Sequence, residues 1–305
     1  MKRLTLKETL LREDRALRNL ITLLADLSLT IAREIPRTLG STKGVNIYGE
    51  KQLQLDVWSN NLITHKLLSS GLVKQVASEE LEHILRSKRG EYSVVLDPLD
   101  GSSNITTDNL MGTIVGIYHD KELPAAGRDL LASMYFLYGP YLELVLANTE
   151  GVHVYVAAGR GSKGSEKFIT DGEKRHFPDK STVYGVGGVR EKWTPKLHRF
   201  VESLEKRKLT LRYGGALVGD FNQVLVRGGF FAYPELIDAP LGKYRLNFES
   251  IPLALIAEKA GGKGSTGTRR ILDVEPTDLA QKSPTYLGNA DLVTEFEELS
   301  KPNLA

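Results

Sequence analysis

"YSVVLDPLDGSSN", Tyr92 to Asn104, is the stretch on which the reading of this chain turns. The largely apolar run Tyr92 to Leu96 has the length and composition of a buried strand. Two carboxylates (Asp97 and Asp100), a proline, a glycine and two hydroxyls then crowd into the next eight residues. A strand ending in Asp-x-x-Asp-Gly can turn both carboxylates toward one point beyond the sheet. Gly101 lets the backbone approach a ligand closely, and the amides around Ser102 and Ser103 can donate to an anion. Hard oxygen ligands beside anion-binding amides suit Mg2+ holding a phosphate. A plain β-turn competes with this reading, because Asp, Pro and Gly are all common in turns. The neighbouring "ASEE" favours the site: it places Glu79 and Glu80 after the run "GLVKQVA". Carboxylates there are costly unless a cation collects them.

The rest of the chain sets bounds. Its 305 residues suffice for one large domain or two medium ones. Forty basic residues against 38 acidic ones give a charge of +2, which points to no nucleic-acid partner. With no cysteine, disulfides and thiolate metal sites are excluded. The charged start "MKRLTLKETLLREDRALRNL" does not read as a signal peptide, and no apolar run has membrane length; a cytoplasmic protein without membrane contact is expected.

Working outward, the pattern mixes helix and strand. Leu and Ile recur at helical spacing from Leu6 to Ile35 and stop at Pro36, so one helix is expected there. "RTLGSTKGVNIYGEKQ" (37–52) reads as a long mobile loop, and "LDVWSNNLITHKLLSSG" (55–71) as a helix ended by glycine. "YLELVLANTEGVHVYVA" (141–157) alternates on both sides of "NTEG", as a hairpin does. The polar stretch 159–181 is the best boundary between two halves. Beyond it come apolar strands, a helix in "SIPLALIAEKAGG" (250–262) and a short helix over Leu292–Leu299. Lys243 and Arg245 stand two apart, so a strand would present both on one face.

In order over nearly the whole chain, "NIYGEKQLQLDVWSN", "ASEE", "LDPLDGSSNI", "RYGGALVGDFNQ", "GGFFAYP", "GKYRLNFES", "EKAGG" and "LDVEPTD" resemble class I fructose-1,6-bisphosphatase. The resemblance implies a layered α/β/α/β/α sandwich with two mixed β-sheets, in halves 1–176 and 177–305. It implies Mg2+-dependent cleavage of the 1-phosphate of fructose 1,6-bisphosphate in gluconeogenesis. Two or three ions would bind per site, with Mn2+ or Zn2+ as possible substitutes. Glu79, Asp97, Asp100, Glu249 and the Leu99 carbonyl would be the metal ligands. Asp56 and Glu80 would orient and deprotonate the attacking water. Gly101, Ser102 and Ser103 would hold the phosphate that leaves, with Asp100 beside it. Arg212, Tyr213, Tyr233, Lys243 and Arg245 match positions at the substrate. Arg212 would reach across from a neighbouring subunit of a homotetramer, a dimer of dimers. Asn46 and Glu50 fall in the family's mobile loop, which closes over the metals.

The chain also departs from the family. "GVGGVRE" (185–191) stands where an Asn-Glu-Gly-Tyr stretch usually contacts the distal phosphate, and "GDFNQ" (219–223) replaces Asp-x-His-Arg. A sedoheptulose 1,7-bisphosphatase, or an enzyme for both sugars, therefore stays open; an inositol monophosphatase or a non-catalytic phosphate-binding protein is more distant. The family's AMP-binding loop is missing from the N-terminal helix, and Glu91 replaces a basic residue there, so no AMP inhibition is expected at that place.

Overall fold

Alternate residues of the strands Met111–His119, Leu130–Tyr138 and Leu142–Asn148 bury in opposite directions. Val115, Met134, Phe136, Leu144 and Leu146 join one core; Ile114, Tyr135, Val145 and Ala147 join another. A sheet that is apolar on both faces must be covered on both. The computed structural model describes residues 3–37, 42–45, 51–160 and 166–299. Its first sheet has nine strands, in the order Leu4–Thr5, Glu166–Thr170, Gly151–Arg160, Leu142–Asn148, Leu130–Tyr138, Met111–His119, Tyr92–Asp100, Val73–Ser78, Leu85–Arg86. Only Val73–Ser78 and Tyr92–Asp100 pair in parallel within it. The second sheet, also mixed, runs Thr210–Leu211, Val183–Val186, Gly229–Tyr233, Thr285–Asn289, Gly262–Ser265.

Helices Arg15–Glu34 and Gln54–Ser69 cover the outer face of the first sheet through Leu20, Ile21, Leu24, Ile63 and Leu67. Helices Leu217–Arg227 and Ile251–Lys259 fill the space between the sheets. The second of these is buried continuously from Ile251 to Ala257, as a helix packed on all sides must be. Pro195–Lys206 and Ala290–Glu298 close the far face of the second sheet. Rings of Phe200, Phe230, Tyr286 and Phe296 meet there with centroids 4.4 to 6.1 Å apart. The result is the α/β/α/β/α sandwich with two mixed sheets. No helix among the described residues is long and apolar enough to cross a membrane.

Three local expectations are corrected. The single helix over Leu6–Ile35 is broken, because the Asp14 carboxylate accepts the amides of Ala16 and Leu17 and so caps a new helix at Arg15. Ahead of the break stand only the turn Leu6–Thr9 and a 3-10 segment at Leu10–Arg12. The loop 37–52 contains a small antiparallel ladder, Thr42–Val45 with Lys51–Leu53. Within the polar stretch 159–181, Glu166–Thr170 is a strand that pairs with both Gly151–Arg160 and Leu4–Thr5.

One irregularity of register positions the site. Asp97 pairs with Ile114 but Asp100 pairs with Gly112, so three steps on one strand face two on the next, which is a β-bulge. In a regular strand, residues three apart face opposite sides. Across this bulge both aspartates face the middle layer. Ile114 belongs to the middle core, and a Cβ on Gly112 would come within 2.6 Å of Val218 in the helix behind it. Pro98 lacks an N–H and is tolerated in a central strand at such a bulge.

Truncating Phe230, fully buried among the rings of the far layer, tests the docking of that layer. Phe230→Ala should lower stability by about 3–5 kcal/mol in a denaturant titration. A loss below about 1 kcal/mol would show that the far helices do not depend on this packing.

Candidate active site

Two further elements bring carboxylates to the bulged strand end. Val73–Ser78 runs parallel to Tyr92–Asp100 with Ser78 opposite Leu96, and the Glu79 amide bonds the Leu96 carbonyl, so Glu79 emerges beside Asp97. Glu249 comes from a π-helical turn, Leu246–Ser250, that leads into Ile251–Lys259. Such turns widen a helix by one residue and re-aim its side chains. Ligand oxygens of Glu79, Asp97 and Glu249 all lie within 4.8 Å of one another, and the two last residues are buried.

Each carboxylate is held. The Leu99 amide donates to Asp97 Oδ1 at 2.9 Å, and the Arg245 amide to Glu249 Oε2 at 2.5 Å. The guanidinium of Arg245, only 2% exposed, lies with Nε 3.9 Å from Glu79 Oε1. Asp100 accepts the Val218 amide at 2.7 Å, at the first turn of Leu217–Arg227, where the helix dipole favours an anion.

Their burial carries an electrostatic penalty. Burial, then the charges of Glu79, Asp100 and Glu249, holds the Asp97 carboxyl well above the usual range. Glu249 is raised in the same direction by burial and by Glu79 and Asp100, against the Arg245 amide and the Lys243 charge. Burial pushes Asp100 up to about 6, opposed by the Val218 and Leu217 amides and by Lys243. A set of hard oxygen donors that repel one another when ionised fits a hard divalent cation; softer metals favour imidazole or thiolate.

A cavity of about 370 Å3 opens over this cluster. Glu80, Leu99, Gly101, Ser102, Ser103, Gly215, Lys243 and Tyr244 complete its walls. Gly101 has φ +73°, and a Cβ there would meet Ala216 Cβ at 2.4 Å, so this turn needs glycine on two counts. Asp56, in the first turn of Gln54–Ser69, is buried one layer behind the cavity wall and accepts the Leu53 amide at 2.8 Å. Burial pushes it up to about 6, against that amide and the Ser102 hydroxyl.

Arg212 and Tyr213 line an adjoining hollow of about 230 Å3 rather than the cavity itself. Tyr233 stands behind the cavity wall: its ring meets Tyr244 edge-on at 5.0 Å, and Lys243 Nζ lies 5.7 Å over it. Lys243 and Arg245 do not share a strand face. Residues 243–244 are a bend, and at Arg245 the chain turns into the π-helix, which sends the lysine to the exposed mouth and the arginine into the interior. Asn46 and Glu50 lie outside the described residues.

Two residues at the site escaped the sequence reading. Tyr244 lines the cavity, and its signal was its place between Lys243 and Arg245. Asp220 accepts the amides of Gly214 (2.5 Å) and Gly215 (3.0 Å), and burial pushes it up to about 7. An acid in the first turn of a helix, after a Gly-Gly turn, was the available sign.

A family model described as fructose-1-6-bisphosphatase, N-terminal domain, matches residues 4–162, and its C-terminal counterpart matches residues 177–301. A class 1 fructose-1,6-bisphosphatase of Halobacterium salinarum is 40% identical over 276 residues, covering 90% of this chain and 93% of its own. That of Trichlorobacter lovleyi is 38% identical over 296 residues, covering 94% and 92%. Leishmania major fructose-1,6-bisphosphatase in its holo form superposes with a TM-score of 0.88 at 30% identity, over 98% of this chain and 100% of that one. A Toxoplasma gondii protein provisionally named sedoheptulose-1,7 bisphosphatase superposes with 0.87 at 29% identity, over 97% and 98%.

The raised carboxyls make stability depend on pH. A carboxyl whose folded pKa exceeds its unfolded value holds a proton that the unfolded chain has released. The stability is complete below the unfolded value near 4 and is lost as pH rises through the folded values, about 6 for Asp56 and Asp100 and about 7 for Asp220. Cation-free protein should therefore melt at a higher temperature near pH 6 than near pH 8. A millimolar divalent cation should raise the melting temperature more at the higher pH. Calorimetry checks both, and a melting temperature indifferent to pH and cation would remove the repulsion argument.

Proposed function

Because this chain belongs to the fructose-1,6-bisphosphatase family, we propose that it hydrolyses the 1-phosphate of fructose 1,6-bisphosphate with Mg2+ as cofactor. The products are fructose 6-phosphate and inorganic phosphate, a step of gluconeogenesis, carried out in the cytoplasm by a homotetramer. The observation that carries the reading is the convergence of Glu79, Asp97 and Glu249 within 4.8 Å beside a cavity walled by Ser102, Ser103 and Lys243. In this reading the chain divides at residue 176, with the carboxylate strands before it and the sugar-phosphate side chains after it.

Glu79, Asp97, Asp100, Glu249 and the Leu99 carbonyl are the residues that would hold Mg2+. When bound, the ions supply charge neutralisation of the phosphoryl oxygens and a lowered pKa for the attacking water. The Gly101 amide and the hydroxyls of Ser102 and Ser103 orient the phosphoryl group. Glu80, on the cavity wall, takes the proton from the water as it attacks phosphorus. Asp56 stands behind, beside Ser102, and is ionised above about pH 6, as an orienting acceptor must be. The bond from phosphorus to the C1 oxygen breaks, and that oxygen takes a proton from solvent water to leave as the sugar hydroxyl, while Glu80 returns its proton to solvent. Lys243, Tyr233, Tyr213 and Tyr244 receive the far end of the substrate. Arg212, exposed beside the adjoining hollow, reaches a neighbouring subunit's site. The similarity to the Toxoplasma gondii protein favours sedoheptulose 1,7-bisphosphate as the second substrate to test.

Phosphate release from a panel of sugar bisphosphates with Mg2+ is the direct test. Asp97→Ala should lower the rate roughly a thousandfold or more, since a metal clamp contributes several kcal/mol to transition-state stabilisation. Full activity of that variant, or of the native protein in EDTA, removes the metal-dependent mechanism.

A second measurement addresses the distal end. Arg212→Ala should cost about ten- to a hundredfold in kcat/KM on the bisphosphate and much less on a sugar bearing only the scissile phosphate. Mixing Arg212→Ala with Asp97→Ala subunits should restore part of the activity through composite sites. Equal losses on both substrates would withdraw the distal-phosphate role.

A further inference from the structure

Thr113 stands on the neighbouring strand between Ile114 and Gly112, the partners of Asp97 and Asp100, and so lies against the bulge at Pro98 and Leu99. Its hydroxyl donates to the Pro98 carbonyl oxygen at 2.8 Å. A threonine hydroxyl has one proton to give, so in its 2.8 Å contact with Tyr138 the tyrosine is the donor. Both side chains are buried, at 2% and 8% exposure. Pro98 thus lacks an N–H for the ladder, and its carbonyl is held from the opposite face of the sheet by a two-hydroxyl relay.

We infer that Thr113, backed by Tyr138, is a positioning residue for the metal ligands. The inference rests on the cation-dependent reaction proposed above and identifies what keeps its ligands in place. The two aspartates share a face only because of the extra residue in the bulge. Asp97 is tied to that residue's backbone by the Leu99 amide. A side chain that fixes the Pro98 carbonyl therefore fixes the direction of Asp97 and of the Leu99 carbonyl. Valine fills the same volume as threonine but cannot hold the carbonyl, so packing and positioning separate at this position. The relay belongs to no motif: in "MGTIVGIY" the threonine reads as one more β-branched strand residue.

The test is Mn2+ binding to substrate-free protein, followed by electron paramagnetic resonance and kept apart from turnover. Removing a partner that orients a metal ligand typically weakens affinity by about 10–100-fold. Thr113→Val should show a loss of that size at temperatures well below its melting point, and Thr113→Ser should regain native affinity to within about threefold. Tyr138→Phe keeps the Thr113 contact and removes only its backing; about a threefold or larger loss is expected, and this variant decides the matter if the valine protein does not fold. Native affinity in Thr113→Val, or in Tyr138→Phe where only that variant folds, overturns the inference. So does an equal loss in the valine and serine proteins, which would mean packing alone. Asp97→Asn separates the two levels: if it too binds Mn2+ as the native protein does, the metal reading itself has failed.

Discussion

Like charge gathered out of water is the constraint on which the rest of this structure depends. Three buried carboxylates and a half-buried fourth meet beyond the ends of two neighbouring strands of the first sheet. Left to relax, they would spread apart or keep their protons. They hold their protons more tightly than free carboxyls do, but they do not spread apart, because Asp97 is fastened by its own bulge, Asp100 by the first turn of a helix and Glu249 by the amide that opens a π-turn. Those elements are in turn fixed by apolar cores on both faces of both sheets. The layered architecture is thus the means by which repelling groups are kept in reach of one another.

How far this was legible in the sequence depended on distance along the chain. Asp97, Asp100 and Gly101 announce themselves because the strand, the turn and the two carboxylates lie within ten residues. The apolar patterns by themselves show only a mixture of helix and strand in about two halves; the two mixed sheets are expected from the family resemblance. Glu249 could be placed only through resemblance to a family, since nothing near it says that it meets Glu79. The partner of Asp100, the Val218 amide, is a backbone group in a distant helix and leaves no mark on the sequence.

The errors are equally physical. Lys243 and Arg245 were read by the two-residue period of a strand, but the Arg245 amide is drawn into a bond with Glu249 and the chain turns there. The helix over Leu6–Ile35 keeps its apolar spacing across a break, because the spacing reports the buried face and not the hydrogen bonds. Asp14 carried the missing information as a capping residue.

The π-turn that carries Glu249 has a consequence for the order of assembly. Glu79 and Asp97 are synthesised by the time the chain is one-third made, and Glu249 only when about four-fifths of it is made. The early strands can therefore pair before the full like-charge cluster exists. The electrostatic opposition begins when the late helix docks between the sheets and brings its acid into contact with theirs. A divalent cation bound by these acids would act as a clasp on the last stage of folding, and a chain that lacks Glu249 has only part of the cluster, however well its first sheet has formed.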